Sequence, residues 1–477
     1  MSSAVIQKLK ELGYTTIPED FYSQVDLWKS WYQGNVKNFH RYRKYNGHEW
    51  VNCERETLGM AKKVCEDWAN LLLNEKIQIT VDGKAEQDFI NRILKENNFS
   101  VKANEMQELK AALGTVAYIP RVVGQRVNDY GALMAGTADD IFVDYVTMEH
   151  IYPISWQNGV ITECAFDNIV NRGGKRYLFL QIFRKAKTGN YIIENSIYGY
   201  ENEVLTPANL SDVSGFEHIP DYVDTGSSER QFVIDRLAIA NNVDYLLPVG
   251  IPVFANSISV LRVIDKAYDC YANEFDNGAL LLAVKMPATR YEDGRPTFDK
   301  HDNRIYLLPE DTQQGNVVDA ISPQLRTSEL NIGLQDQLNV LSSKCGFGTN
   351  FYQFNQGAVM ATATQVISTN SKLAESRGKH QLILRDALTE LCRILLRLGN
   401  KAIDVNLNEN AEISIAFDDS IFIDTESERA QDRLDENMGA MSLLEYRMKW
   451  YGEDETTAKA ALEKVHEMVT EPQNEVE

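Results

Sequence analysis

Apolar positions recur at helical spacing in three stretches of the second half of the chain. Leu330, Leu334, Leu338, Leu341 and Cys345 follow one another at intervals of four, four, three and four, and Gly346 stops the pattern. Leu384, Ala387, Leu388, Leu391, Leu395 and Leu398 repeat the rhythm and end at Gly399-Asn400. Leu261, Ile264, Tyr268, Tyr271 and Phe275 form the third stripe, from near Asn256 to Asn277-Gly278. Between the first two stripes, residues 346–357 carry glycine, amide and aromatic side chains, with no stripe and no charge. Thr362-Ala-Thr-Gln365 then reads as a capping box that restarts a helix. A neutral, glycine-hinged loop held between two long helices is built to present itself to a partner.

Residues 1–50 read as helical. Trp28, Trp31, Tyr32, Phe39 and Tyr42 are interleaved there with Lys37, His40, Arg41, Arg43 and Lys44. Such a mixture can stack on nucleic acid or pack as an arm on a neighbouring subunit, and the second is the commoner use. Residues 54–74 predict an amphipathic helix with Leu58, Ala61, Cys65, Trp68, Leu71 and Leu72 on one face. A short strand at 77–81, the turn Asp82-Gly83 and helices near 85–96 and 104–113 follow. From 115 to 200 the period falls to two. Strands at 116–119, 142–146, 160–166, 177–183 and 191–193, several separated by Asn158-Gly159, Gly173-Gly174 and 188–190, predict an antiparallel meander on an α+β body. Residues 201–255 read as an irregular connection. Residues 279–326 form a small β-rich module, with strands at 280–284 and 304–308 framing a polar excursion through Arg290, Glu292, Asp293, Arg295 and Lys300. Beyond Asn400, strand-like runs at 411–417 and 418–424 lead into two acidic helices, near 426–438 and 442–468.

The 477 residues exceed one simple core, and about two to four domains are expected. At 44% hydrophobic and 25% charged, the composition is that of a soluble globular protein. The N-terminus lacks an apolar signal core, and no run approaches the roughly 18 apolar residues of a membrane span. Six scattered cysteines and seven dispersed histidines point to reduced thiols in a cytosol and away from zinc. The net charge is −21, of which −13 falls from Lys401 onward, with 20 acidic against 7 basic residues. A conventional nucleic-acid binder shows a basic footprint instead. Solubility is the plain reading of the excess, and repulsion of a polyanion the sharper one.

Candidate chemistry is sparse. Asp418, Asp419 and Asp424 could hold a hard cation, but they match no calcium loop, and a strand-to-helix turn capped by Asp424 or Thr425 explains them as well. Gly-x-Ser-x-Gly, a local Cys/His signature and the phosphate-binding glycine loop are all absent, and nothing selects a pair of carboxylates. The expectation is a non-enzyme with no catalytic residues, no metal and no cofactor.

The order of mixed body, helix, small module, helix, neutral loop, long helix and acidic helical end resembles the portal proteins of tailed bacteriophages, in particular siphophages of Gram-positive hosts. The segments 49–54, 61–75, 362–368, 417–424 and 448–453 are similar to that group, so the resemblance spans nearly the whole chain. It implies a ring, usually a dodecamer, at one capsid vertex of the virion, through which double-stranded DNA passes non-specifically during packaging and ejection. It implies no membrane. The ring would form in the bacterial host cytoplasm among scaffold and major capsid proteins. By position, 1–255 and 401–425 correspond to the wing, 256–278 and 327–346 to stem helices, and 279–326 to the clip. The clip would meet the terminase large subunit and later the head-completion adaptor through Arg290, Glu292, Asp293, Arg295 and Lys300. Residues 347–359 correspond to the tunnel loop, 360–400 to the long helix after it, and 426–477 to the crown. Thr349, Asn350, Gln353, Asn355 and Gln356 would face DNA, Gly346, Gly348 and Gly357 would hinge the loop, and the aromatic residues would pack it. Two other readings are a different ring-forming virion or secretion component, and a hydrolase whose acids the spacing does not reveal.

Overall fold

The computed structural model describes residues 2–45, 49–73, 77–124, 126–278, 281–285, 291–292, 295–296, 305–308, 318–321, 324–353, 363–417 and 425–470. It divides into two compact units, Met1–Ala416 and Phe417–Glu477.

The first unit opens with helices α1 (Ser2–Glu11) and α2 (Glu19–Tyr32), then a hairpin of β1 (Arg41–Tyr45) and β2 (Trp50–Glu54). The N-terminal segment is therefore not wholly helical. Of its aromatics, Trp28, Trp31 and Phe39 are buried in this chain's own core, whereas Tyr45 and Trp50 on the hairpin are exposed. Helix α3 (Met60–Leu72) starts six residues later than its stripe suggests, because residues 50–54 are taken up by strand pairing and Gly59 turns left-handed before the helix. Strand β3 (Gln78–Val81) and helices α4 (Lys84–Glu96) and α5 (Phe99–Leu113) complete the helical layer.

The strands follow. β4 (Thr115–Val123) is buried along its first six residues, since α5 and a long later helix pack on it while β5 (Asp140–Thr147) pairs with one edge. β6 (Ile151–Gln157), β7 (Val160–Arg172), β8 (Lys175–Lys185), β9 (Tyr191–Glu201) and β10 (Val204–Ala208) form the antiparallel meander in sequence order. Asn158 and Gly159 both take positive φ (51° and 77°), the backbone of a tight hairpin turn whose twist matches the flanking strands. β6 carries only a weak alternation and was not expected from the sequence. β11 (Tyr222–Asp224) joins β9, and β12 (Val233–Arg236) pairs with the other edge of β4. Residues 201–255 are thus more than a connection: Phe232, Leu237, Val249, Ile251 and Phe254 are core residues. At the centre, Lys110 Nζ lies 2.9 Å from Asp235 Oδ1, with both side chains wholly buried. Gln107 also donates to Asp235 (2.9 Å).

Helix α6 (Ile258–Asn277) then runs out and α7 (Thr327–Lys344) runs back against it. Between them lie β13 (Leu281–Lys285), the short pair β14 (Tyr291–Glu292) and β15 (Arg295–Pro296), β16 (Ile305–Leu308) and β17 (Val318–Ile321). The two expected strands of this module are present as β13 and β16, paired in parallel, and β17 adds an antiparallel third. Helix α8 (Ala363–Leu398) is one continuous rod of 36 residues, about 54 Å at 1.5 Å per residue. Its buried stripe rests on α3, α4, β4 and β12, and the guanidinium of Arg230 grips Glu390 through two hydrogen bonds of 2.6 Å. Strand β18 (Ile413–Ala416) returns to pair with β3.

The second unit contains α9 (Thr425–Asn437), α10 (Leu443–Tyr451) and α11 (Glu455–Thr470). The expected final helix is two helices, because Gly452 turns left-handed (φ 64°) at the end of α10. Ser442 and Glu445 form the capping box that starts α10. Asp418, Asp419 and Asp424 lie outside the described residues.

Candidate functional site

The neutral loop leaves α7 through a defined helix stop. Cys345 caps the helix, and Gly346 takes φ +89°. Phe347 N–H then donates to the Ser342 carbonyl (3.0 Å) and Gly346 N–H to that of Ser343 (3.4 Å), the two reversed bonds of a Schellman ending. Only a residue without Cβ fits there easily: a Cβ on Gly346 would lie 3.2 Å from both Ser376 Oγ and Trp68 Cζ2. Gly346 is thus a fixed point in a packed site.

The next residues form an aromatic root. Phe347 is fully buried, stacks on Phe351 (4.4 Å between centroids, 18°) and meets Trp68 at 5.1 Å and Tyr352 edge-on at 5.6 Å. Trp68 Nε1–H donates to the Cys345 carbonyl (2.9 Å), which ties α3 to the end of α7. Tyr352 donates its hydroxyl to Asp67 (2.9 Å), and its carbonyl accepts from Gln335 on α7. Burial, with the Asp67 carboxylate beside it, raises the Tyr352 hydroxyl far above its ordinary pKa and keeps it a donor. Ser342 Oγ donates to the Gly348 carbonyl (2.6 Å). Behind Trp68, His380 of α8 packs edge-on at 4.9 Å and accepts from Ala238 N–H. Burial, reinforced by Lys110 and Lys379, lowers its pKa to about 3, so it is neutral. Burial likewise pushes the Cys345 thiol up to about 12.

The root holds out polar groups that carry no charge. Thr349, Asn350 and Gln353 are exposed, with Asn350 in the left-handed region (φ 65°). Phe351 is half-exposed, whereas Phe347 and Tyr352 face inward. Asn355, Gln356, Gly357 and Phe354 lie outside the described residues, and Gly348, at the base, has φ +85°.

Helices α6 and α7 are tied at both ends. Cys345 Sγ lies 3.9 Å from Ser257 Oγ at one end. At the other, Arg326 wraps Glu274, with Nη2 2.7 Å from Oε2 and both Nε and the backbone N–H on Oε1. These bonds hold the Glu274 carboxyl down at about 2. Beyond this clasp, Glu292 and Arg295 oppose each other in the β14–β15 pair, while Arg290, Asp293 and Lys300 lie outside the described residues.

The family model for phage portal proteins of the SPP1 Gp6-like type matches residues 14–470. The chain belongs to that family. No curated protein matches it in sequence. As a portal it is a structural, non-enzymatic component of the virion, and it forms the channel for DNA at the capsid vertex. Portals work as oligomeric rings that meet the capsid and the terminase. The mixed α+β architecture, with long helices and antiparallel sheets, agrees with the portal fold. Among the described residues, no helix of this portal is long and apolar enough to cross a membrane.

Sequence reasoning placed the portal's neutral loop but missed the groups that hold it: Trp68, Asp67, Gln335, Ser342 and His380. They come from three separate helices, and no spacing joins them. The Glu274–Arg326 clasp was missed for the same reason, though an Arg immediately before a helix that mirrors another of similar length is a usable hint.

Proposed function

We propose that 1–255 and 401–425 are the wing of this portal, 256–278 and 327–346 its stem, 279–326 its clip and 426–477 its crown. In this reading the ring is a dodecamer, 347–359 is the tunnel loop and 360–400 the long helix behind it. DNA slides past Thr349, Asn350, Gln353, Asn355 and Gln356. These side chains offer transient hydrogen bonds to phosphate without neutralising it, so they do not add the salt-dependent grip that lysine or arginine would. Of the three glycines expected to hinge the loop, Gly346 also anchors it at the end of α7, and Gly348 and Gly357 keep the hinge role. The clip docks the terminase large subunit and then the head-completion adaptor through Arg290, Glu292, Asp293, Arg295 and Lys300, while scaffold and major capsid proteins meet the outside of the ring.

The observation that carries this reading is the loop's construction: a buried aromatic root presents uncharged polar side chains, and no charged residue occurs from Cys345 to Ser371. The test is to replace Thr349, Asn350 and Gln353 together with Lys, on exposed positions that leave the root intact. Ring assembly should be unchanged, DNA should be retained by the ring at low salt and released at high salt, and packaging should slow. Packaging at the normal rate, with no added DNA retention, would remove these residues from the channel wall.

A further inference from the structure

We propose that the β1–β2 hairpin is an arm that docks on a second copy of this chain, along the outer face of its α7. Among the described residues, β1 and β2 pair with each other and with no other strand, and Arg41 adds an isolated bridge to Lys37. One face of the pair carries Arg41, Arg43 and Tyr45 opposite Glu54, Asn52 and Trp50, and all six are exposed. Trp50 is 60% and Tyr45 53% exposed, their rings 5.7 Å apart. A lone two-stranded hairpin is marginal in water and gains its stability from a surface it covers or that covers it.

The root of the hairpin, by contrast, is built. Asp265 of α6 accepts from His40 Nε2 (2.9 Å), Thr57 Oγ1 (3.1 Å) and Leu58 N–H (3.0 Å). His40 Nδ1 accepts from Val36 N–H, which leaves Nε2 as the donor. One turn further along α6, Asp269 accepts from Glu56 N–H, and Arg55 lies over the rings of Phe39 and Tyr42. A fixed root under exposed Arg43, Tyr45 and Trp50 is the form of an arm.

The partner surface is chosen by charge and by position. The exposed face of α7 carries Glu329, Ile332, Asp336 and Val340 at intervals of three, four and four, with Ile332 64% exposed. It is apolar and acidic where the hairpin face is aromatic and presents Arg43, beside an Arg41 that is paired with Glu54 (3.3 Å). The ties Ser257–Cys345 and Glu274–Arg326 fix the antiparallel alignment of α6 and α7, so Asp265 and Asp269 stand alongside Asp336 and Ile332. A rotation about a ring axis preserves height. If α6 and α7 run along that axis, as the stem reading proposed above has it, each hairpin root is level with this stripe on the next copy. The contact is heterologous, the kind that closes into a ring.

The test uses full-length protein assembled with its scaffold protein, with ring fraction read by native mass spectrometry. Arg41→Glu with Arg43→Glu, and separately Glu329→Lys with Asp336→Lys, should each lower the ring fraction about tenfold through like-charge contacts. Combining all four should restore most of it. Trp50→Ser, which alters a side chain exposed in the single chain, should also weaken rings while leaving the melting of the monomer unchanged. Normal rings from both charge-reversed proteins, or no rescue on combining them, would overturn the proposal. Loss of DNA binding with rings intact would overturn it too, and assign the hairpin to nucleic acid. A wild-type protein that forms no ring would instead refute the stem reading on which the alignment rests.

Discussion

Gly346→Ala tests the root of the loop most sharply, because the structure separates its cost into two parts. The first is conformational. At φ +89° an alanine sits in the left-handed region, at about 1–2 kcal/mol. The second is crowding. The new Cβ would lie 3.2 Å from Trp68 Cζ2 and from Ser376 Oγ. Trp68 is boxed between Phe347 and His380 and cannot swing away, so Ser376 or the end of α7 must shift, at about 1–2 kcal/mol more. The total is about 2–4 kcal/mol. Gly159→Ala supplies the control in the same unit: its φ is +77° and a Cβ there meets nothing within 4 Å, so only the first part applies. The assay is urea unfolding of the two variants and the wild type, followed by tryptophan fluorescence. Equal destabilisation by the two substitutions would refute the packed root, and no loss from Gly346→Ala would refute the helix-stop geometry as well.

Three further outcomes follow from the buried and clasped charges. Lys110→Met should destabilise the first unit by about 3–5 kcal/mol, since it strands Asp235 in the core, and adding Asp235→Leu should recover most of that loss in the same urea assay. His380 is held near pKa 3 when folded against about 6.5 unfolded, so the unfolded chain binds the extra proton; its stabilising contribution is complete above about pH 6.5 and falls by about 1.4 kcal/mol per unit below it. His380→Gln should flatten the stability profile between pH 6.5 and 5, and an unchanged slope would contradict the buried neutral ring. Glu274, held down at about 2 by Arg326, contributes above about pH 4.5 and loses that contribution as pH falls through 2. Protection from hydrogen exchange at the α6–α7 ends, taken relative to the intrinsic exchange rate at each pH, should therefore fall over that window, and Glu274→Gln should abolish the change.

The elements legible in the sequence are those whose packing is local or periodic. The stripes of α6, α7 and α8 and the meander β7–β8–β9 needed no more than period and turn residues. Strand β2 was hidden because Trp50, Val51 and Asn52 are all exposed and carry no alternation. Residues 201–255 looked like a connection because their core residues come in ones and twos, such as Phe232-Val233, Val249 and Val253-Phe254, between turn residues. The break between α10 and α11 rests on one glycine, Gly452, inside an otherwise continuous acidic helical pattern. For the site, the loop's neutrality was readable and its support was not. Trp68, Ser342 and His380 each look like ordinary helix residues until the fold brings α3, α7 and α8 to one point. The expected hinge at Gly346 has a second meaning for the same reason: what excludes a side chain there is Trp68, which lies far from it in sequence.

The central claim, that the chain closes into a ring around a DNA channel, is most directly tested by imaging the purified full-length protein assembled with its scaffold, together with its native mass. The account predicts a closed ring with a central hole and a mass that is a whole multiple of the 54.1 kDa chain. A protein that remains a monomer with scaffold and capsid protein present would contradict it.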